Sequence, residues 1–321
     1  MIPFDSWDGV TNTSGGTEQA KLEAYLGPTA VVFSSYQAAI TSVLEILGSR
    51  TTDVPVILPI TTSPDTLAAV LRSGASPLLL DIDSTTLQLD ANLLAEILGE
   101  LPQAVVVLDR PGGQQVTANL LELTKDTVTI IDTRLPPTLA AADDCVGSFT
   151  VFDFGPVIGS GGLVHHKYSE QVLELKVVRN GILGLAANMN EILCSLALTR
   201  LKVDAGQRAI QAGEVAEAYM ELLQLRSVGC MPFVKSTHWP YFIVSVENSD
   251  RAIAYLHSHN ILAVKPVFPL HLLPTISRRW TEKPEYPVAE KWHKHLIALP
   301  THQGVLGKEE EIISKLLEVA Y

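Results

Sequence analysis

Residues 54–83 read VPVILPITTSPDTLAAVLRSGASPLLLDID. Two apolar runs, 54–60 and 76–83, flank Ser63-Pro64-Asp65, which sets a proline in the first turn of a helix continuing to Leu71. Each run is short and apolar, with little alternation. Strand, helix, strand is the reading, and unbroken apolar strands joined by helices mark a parallel sheet covered on both faces.

The same rhythm extends in both directions. Upstream, Thr17–Leu26 is helical and stops at Gly27-Pro28, AVVF at 30–33 is a buried strand, and Gln37–Leu47 is helical behind the cap candidates Ser34 and Ser35. Downstream, a helix over Asp90–Leu98, a strand over 103–109, a short helix over Ala118–Leu123 and a strand over 127–132 continue the alternation. FTVFDFGPVIGSGGLV at 149–164 reads as strand, glycine-rich turn, strand. Helices follow at Glu170–Arg179, Asn190–Leu201 and Gly206–Leu225, then a strand at 238–247, a helix at Asp250–His259, a strand at 261–267 and a closing helix at Lys308–Val319. The change of pattern places a domain boundary near 203, with a large domain over 1–203 and a smaller α/β domain over 204–321.

Composition excludes several classes of function. A net charge of −12 argues against a nucleic-acid partner, which needs a basic face. No apolar stretch reaches the roughly 20 residues of a membrane helix, and MIPFDSWDG lacks the basic-then-apolar pattern of a signal peptide. The expectation is a cytoplasmic protein with no membrane partner. Cys145, Cys194 and Cys230 show no metal-ligand spacing and read as buried free thiols. With 47% hydrophobic and only 18% charged residues, much of the chain must be buried within the fold or a subunit interface, so a homodimer is expected.

Several segments together resemble the DegT/DnrJ/EryC1/StrS sugar aminotransferases. Residues 56–90 are similar to that family's strand, helix and D-x-D-x-x-T-x-x-x-D run, and NMNEILCSLALTRL (188–201) is similar to its N-Y-R-M-S-E-L-Q-A-A-L-G helix. LAVKPVFPLHLLP (262–274) resembles H-Y-P-x-L-H-x-x-P, and YPVAEKWHKHLIALPTH (286–302) resembles P-x-A-E…L-x-L-P-x-H. The resemblance implies the α/β/α sandwich of fold-type I pyridoxal-phosphate (PLP) enzymes, with a smaller C-terminal α/β domain.

It also implies where a cofactor site would lie. Asp132 matches the aspartate of E-D-A-A-Q, which in the family keeps the pyridine nitrogen protonated; its other reading is a strand-ending turn cap. Ser35 and Gln37 fall in the phosphate cup, S-G-T-A-A-L in the family, where orphan amides favour an anion. The match there is partial. Tyr36 replaces a glycine, Ser63 replaces the aromatic residue that stacks on the ring, and Leu135 replaces the glutamine of E-D-A-A-Q.

The family's F-S-F-H-x-T-K…G-E-G-G meets Phe152-Asp153-Phe154-Gly155-Pro156 and Gly159-Ser160-Gly161-Gly162. One alignment leaves no room for the Schiff-base lysine, and the other sets Phe154 there. Asp153 falls on a phosphate-binding serine. Lys167, Lys176 and Lys202 read as solvated residues, His165 and His166 as strand-end histidines, and His271 as structural. The expectation is an aminotransferase-like chain without aminotransferase activity, with no catalytic residue and no cofactor, acting as a binding or partner protein with a small-molecule or sugar-nucleotide ligand. The alternative is a PLP-dependent aminotransferase or dehydratase acting on a nucleotide-linked sugar.

Overall fold

Alternating apolar strands and amphipathic helices build a mixed α/β architecture around a seven-stranded sheet, with a separate two-stranded sheet near the C-terminus. The computed structural model describes residues 17–48, 54–133, 148–181, 186–225, 240–278 and 285–320; Leu135, Cys145 and Cys230 lie outside them. The strands are β1 (Ala30–Phe33), β2 (Pro55–Pro59), β3 (Ser76–Leu80), β4 (Val105–Asp109), β5 (Thr129–Asp132), β6 (Phe149–Asp153), β7 (Gly162–His165), β8 (Phe242–Ser245) and β9 (Leu296–Leu299). The helices are α1 (Thr17–Leu26), α2 (Tyr36–Ile46), α3 (Pro64–Ser73), α4 (Ala91–Glu100), α5 (Ala118–Leu123), α6 (Gly155–Ile158), α7 (Ser169–Arg179), α8 (Glu191–Leu225), α9 (Ser249–Ser258), α10 (Pro274–Ser277), α11 (Pro287–His295) and α12 (Glu309–Leu317).

The chain divides into two compact units. One takes its described residues from Met1–Pro55, Asp65–Ser76 and Thr129–Val203, the other from Val56–Pro64, Pro77–Val128 and Asp204–Tyr321. In the first, strands run in the order β1-β7-β6-β5. β5 and β6 are parallel, while β7 is antiparallel to both β6 and β1. The parallel-sheet expectation therefore fails at β7, because β6 reaches β7 through a tight turn, and only a long crossover can return a strand in parallel. Helices α2 and α7 pack together and against these strands, burying Val31, Phe33, Ile40, Val43, Val151, Val164 and Leu175.

The second unit carries the strand order β4-β2-β3 and the antiparallel pair β8-β9. Ile57, Leu94, Val106 and Leu120 form one of its cores. Another gathers Val215, Tyr219, Phe242, Leu256, Ile297 and Leu316 from α8, β8, α9, β9 and α12. Two expected helices, Asn190–Leu201 and Gly206–Leu225, are one continuous 35-residue helix, α8. Gly206 costs a helix only about 1 kcal/mol relative to alanine and does not stop it. The strand expected at 261–267 reduces to a single bridge, Val264 to Ala298. Pro266 lacks the N–H that a longer ladder needs. Residues 287–299, to which periodicity assigns no element, form α11 and β9.

The connection between β6 and β7 is more structured than strand-turn-strand implies. It contains the single helical turn α6, closed by Gly159 in the left-handed region at φ 87°. Gly162 then runs against the start of α2. A Cβ there would lie 2.7 Å from the Ser35 carbonyl oxygen, 2.8 Å from the Tyr36 Cα and 2.9 Å from the Ala39 Cβ. Two of these are backbone atoms, which cannot swing aside. Gly162→Ala is accordingly expected to destabilise the protein by about 1–3 kcal/mol, measured as a lower denaturant midpoint at unchanged slope.

Candidate functional site

The C-terminal ends of β5 and β6, the start of β7 and the start of α2 converge in the first unit. Ser35 is the N-cap of α2, with extended backbone at φ −153°, and its side chain accepts a hydrogen bond from the Ala38 N–H at 3.1 Å. Tyr36 opens the helix with its side chain buried. Gln37, next along, is engaged at both ends of its amide: Nε2 donates to Asp65 Oδ1 at 2.8 Å, and Oε1 accepts from Arg72 Nη1 at 3.1 Å.

Asp132 ends β5 with 1% of its surface exposed. Thr66 on α3, itself fully buried, donates its hydroxyl proton to Asp132 Oδ2 at 2.8 Å. Tyr36 Oη lies 3.0 Å from the same threonine oxygen. A hydroxyl has one proton, and here the carboxylate takes it, so the phenol must be the donor to Thr66. Tyr36, Thr66 and Asp132 thus form a directed, buried chain of two hydrogen bonds.

The turn after β6 turns its polar groups inward on itself. Asp153 Oδ1 accepts from the Gly155 N–H at 2.7 Å, capping the single turn α6. Phe154 is fully buried, and its N–H donates to the Gly161 carbonyl at 3.0 Å. A Cβ on Gly161 would come within 2.9 Å of the Met189 side chain. Ser160 Oγ donates to the Ser34 carbonyl at 3.0 Å, which ties the turn to the loop before α2.

Other basic side chains of this unit are held elsewhere. His165 pairs in register with Thr150, whereas Gly162 pairs with Asp153, so His165 stands about 10 Å along the strand from the converging ends. Its Nε2 hydrogen-bonds the Thr29 hydroxyl, and His166 stacks on Phe149 and accepts the Tyr168 N–H. Lys176 lies 3.9 Å from Glu23, which also pairs with buried Arg179. Lys202 lies over the Tyr25 ring. Cys194 offers no nucleophile at neutral pH, since burial, followed by Glu191 and Glu23, pushes its thiol up to about 12.

In the second unit, the segments that carry the resemblance hold one another. Asp81 accepts from the Val288 N–H at 2.9 Å through Oδ2 and from the Ala289 N–H at 3.0 Å through Oδ1, capping α11 across more than two hundred residues of sequence. Asp90 caps α4, and Asp83 closes the turn over Ser84–Thr86. His271 Nε2 lies 2.9 Å from Glu290 Oε1 on α11, its ring centroid 5.0 Å from that of Tyr286. Burial and the nearby Asp81 raise the Tyr286 phenol above its ordinary value. Sequence reasoning did not foresee these pairings, although the paired residues lie inside the quoted motifs. Ser63, where the resemblance sets a stacking aromatic residue, is buried, as is Thr62 before it.

The family-wide sequence pattern of the DegT/DnrJ/EryC1/StrS aminotransferases matches residues 13–130 and 157–317. The chain belongs to this family. Solved structures agree on the fold. A protein described as a sugar aminotransferase, Spr1654 of Streptococcus pneumoniae in its PMP form, superposes with a TM-score of 0.82 at 18% identity, over 95% of this chain and 92% of that one. DesV of S. venezuelae, solved with a ketimine intermediate, gives 0.79 at 19% identity over 98% and 92%. The sugar aminotransferase CalS13 of Micromonospora echinospora gives 0.79 at 16% identity over 99% and 97%. No curated protein matches the chain. As a DegT/DnrJ/EryC1/StrS member it has, among the described residues, no helix long and apolar enough to cross a membrane and no cluster of three or more His, Cys, Asp or Glu side chains able to hold a metal.

The D-x-D-x-x-T turn makes a prediction about acid. Burial pushes the Asp83 carboxyl up, but the bonds from Thr86 N–H, Thr85 N–H, the Thr86 hydroxyl and Ser84 N–H together outweigh it and hold the group below its ordinary 3.8. A carboxyl depressed in the folded state adds stability above its unfolded value and loses it as pH falls through the folded one. Asp83→Asn is therefore expected to lower the urea midpoint at pH 7, with the gap to wild type closing below pH 3.8.

Proposed function

We propose that this family member does not perform amino transfer and acts instead as a binding or partner protein, with a small molecule such as a sugar nucleotide as its ligand class. The observation that carries the reading is the turn after β6. A coenzyme held through a Schiff base needs an amine presented there. In its place stand Phe154, fully buried, and Asp153, whose carboxylate is folded onto the Gly155 N–H. A lysine at Gly161 or Gly162 would need a Cβ within 3.0 Å of Met189 or of the α2 backbone. Asp153 would also repel a phosphate, since two like charges at 4 Å cost about 1 kcal/mol in water and several-fold more in a partly buried site. These residues do not fit a covalently held coenzyme.

The two stretches matched to the family leave out residues 131–156, the interval that contains Asp132, Asp153 and Phe154. This too supports the reading. The competing one, a PLP-dependent aminotransferase or dehydratase acting on a nucleotide-linked sugar, draws on relatives solved in PMP form and with a ketimine. Purified protein mixed with PLP separates the two. The proposal expects no band between about 400 and 430 nm and no coenzyme label after borohydride reduction. A reduced, protein-linked pyridoxyl group would overturn it.

The low charged fraction of 18% also supports a homodimer. Sedimentation at micromolar concentration is expected to give about twice the 34.8 kDa chain mass; a single-chain mass would remove that part of the proposal.

A further inference from the structure

The buried chain from Tyr36 to Asp132 bears on a question the absent amine leaves open. A site without a lysine can still hold a pyridoxal-type ring by its phosphate and its ring nitrogen alone. By resemblance the phosphate anchor is the start of α2 and the nitrogen anchor is Asp132. One side chain of this protein connects the two. Tyr36 is rooted at the first residue of α2, directly after the Ser35 cap, and its phenol ends at Thr66, which passes the bond to Asp132.

We infer that Tyr36 is the residue that closes this protein's site to pyridoxal-type rings, an internal occupant joining the helix start to the buried carboxylate. This rests on the reading that no covalent anchor is present, and extends it from the linkage to the ring itself. Three observations support it. Tyr36 and Thr66 are both buried, at 5% and 0% exposure, so the chain is interior and not a surface contact. Gly162 runs close beneath the root of that side chain, since a Cβ there would lie 2.8 Å from the Tyr36 Cα. The direction of the hydrogen bonds also matters. With the Thr66 proton committed to Asp132, the phenol is bound as a donor at its far end, and an incoming ring would have to break that bond as well as displace the side chain.

The test uses pyridoxamine phosphate, which carries its own amine and so needs no lysine. Titrated calorimetrically into the full chain, it is expected to show no saturation with wild type up to about 1 mM. Tyr36→Gly should bind it with an affinity at least ~10-fold better, and adding Asp132→Asn should take back ~10-fold or more. Tyr36→Phe, which keeps the ring and loses the hydroxyl, should stay closed and melt cooperatively. Tyr36→Ser serves as a second opened variant. A folded Tyr36→Gly or Tyr36→Ser protein that still fails to bind overturns the inference. Loss of cooperative melting in both does so too, because it would make Tyr36 an ordinary core residue whose removal dissolves the fold. Reversible binding by wild type, with no adduct trapped by borohydride, overturns the occlusion and leaves the absence of amino transfer standing. A trapped adduct overturns the proposed function itself.

Discussion

A carboxylate buried at the end of a central strand needs donors from within, and at Asp132 Oδ2 the protein supplies one. Leaving a buried charge without a partner costs about 3–5 kcal/mol, a large fraction of the 5–15 kcal/mol by which a typical domain is stable. Thr66 provides a donor from α3, and Tyr36 provides one to Thr66 from α2. The two helices that flank the end of β5 are thereby committed to it. The Ser35 cap fixes where α2 begins, and Gly162 fixes how closely β7 can approach that beginning.

The motifs that mark the family do a different job. In the second unit their charged members are spent on helix ends and turns. Asp81 caps α11, Asp83 closes the turn before Leu87, Asp90 caps α4, and Glu290 meets His271. Each supplies a partner to a backbone group or side chain, Asp83 and Asp90 to their own turns and Asp81 and Glu290 across the sequence. Such residues report on architecture. They can stay intact in a chain whose chemistry has changed, because nothing in a helix cap depends on what the site at the ends of β5 and β6 contains.

This division explains what the sequence revealed. The bounds of α1, β1 and α5 are legible because Gly27-Pro28 and similar punctuation stop them and their apolar runs are unambiguous. The reversal at β7 is not, since direction depends on the length and shape of a turn that periodicity does not encode. The continuity of α8 is missed because Gly206 looks like a break and is only a small cost. At the site, Ser35 as a cap and Asp132 as a strand end were legible as residue types. The role of Tyr36 was not. It lies thirty residues from Thr66 and ninety-six from Asp132, and nothing in a linear reading says that a helix-start tyrosine reaches a strand-end aspartate.

The tyrosine at position 36, where the resemblance sets a glycine, and the proposed loss of the amine after β6 belong to one physical problem. A coenzyme anchored through a lysine gives a buried aspartate its partner and needs backbone, not side chain, near the phosphate. A chain that folds without such an anchor keeps the aspartate and loses the partner. Removing the carboxylate is one solution. Supplying donors from neighbouring helices is the other, and it preserves the strand end, the cap and the packing already built around them. On the proposed reading Tyr36 and Thr66 are the second solution: a phenol that reaches Thr66, and a threonine whose single proton faces the charge. The root of the side chain at 36 lies beneath β7, where a Cβ on Gly162 would sit 2.8 Å from the Tyr36 Cα, so this position and this turn are packed as one unit.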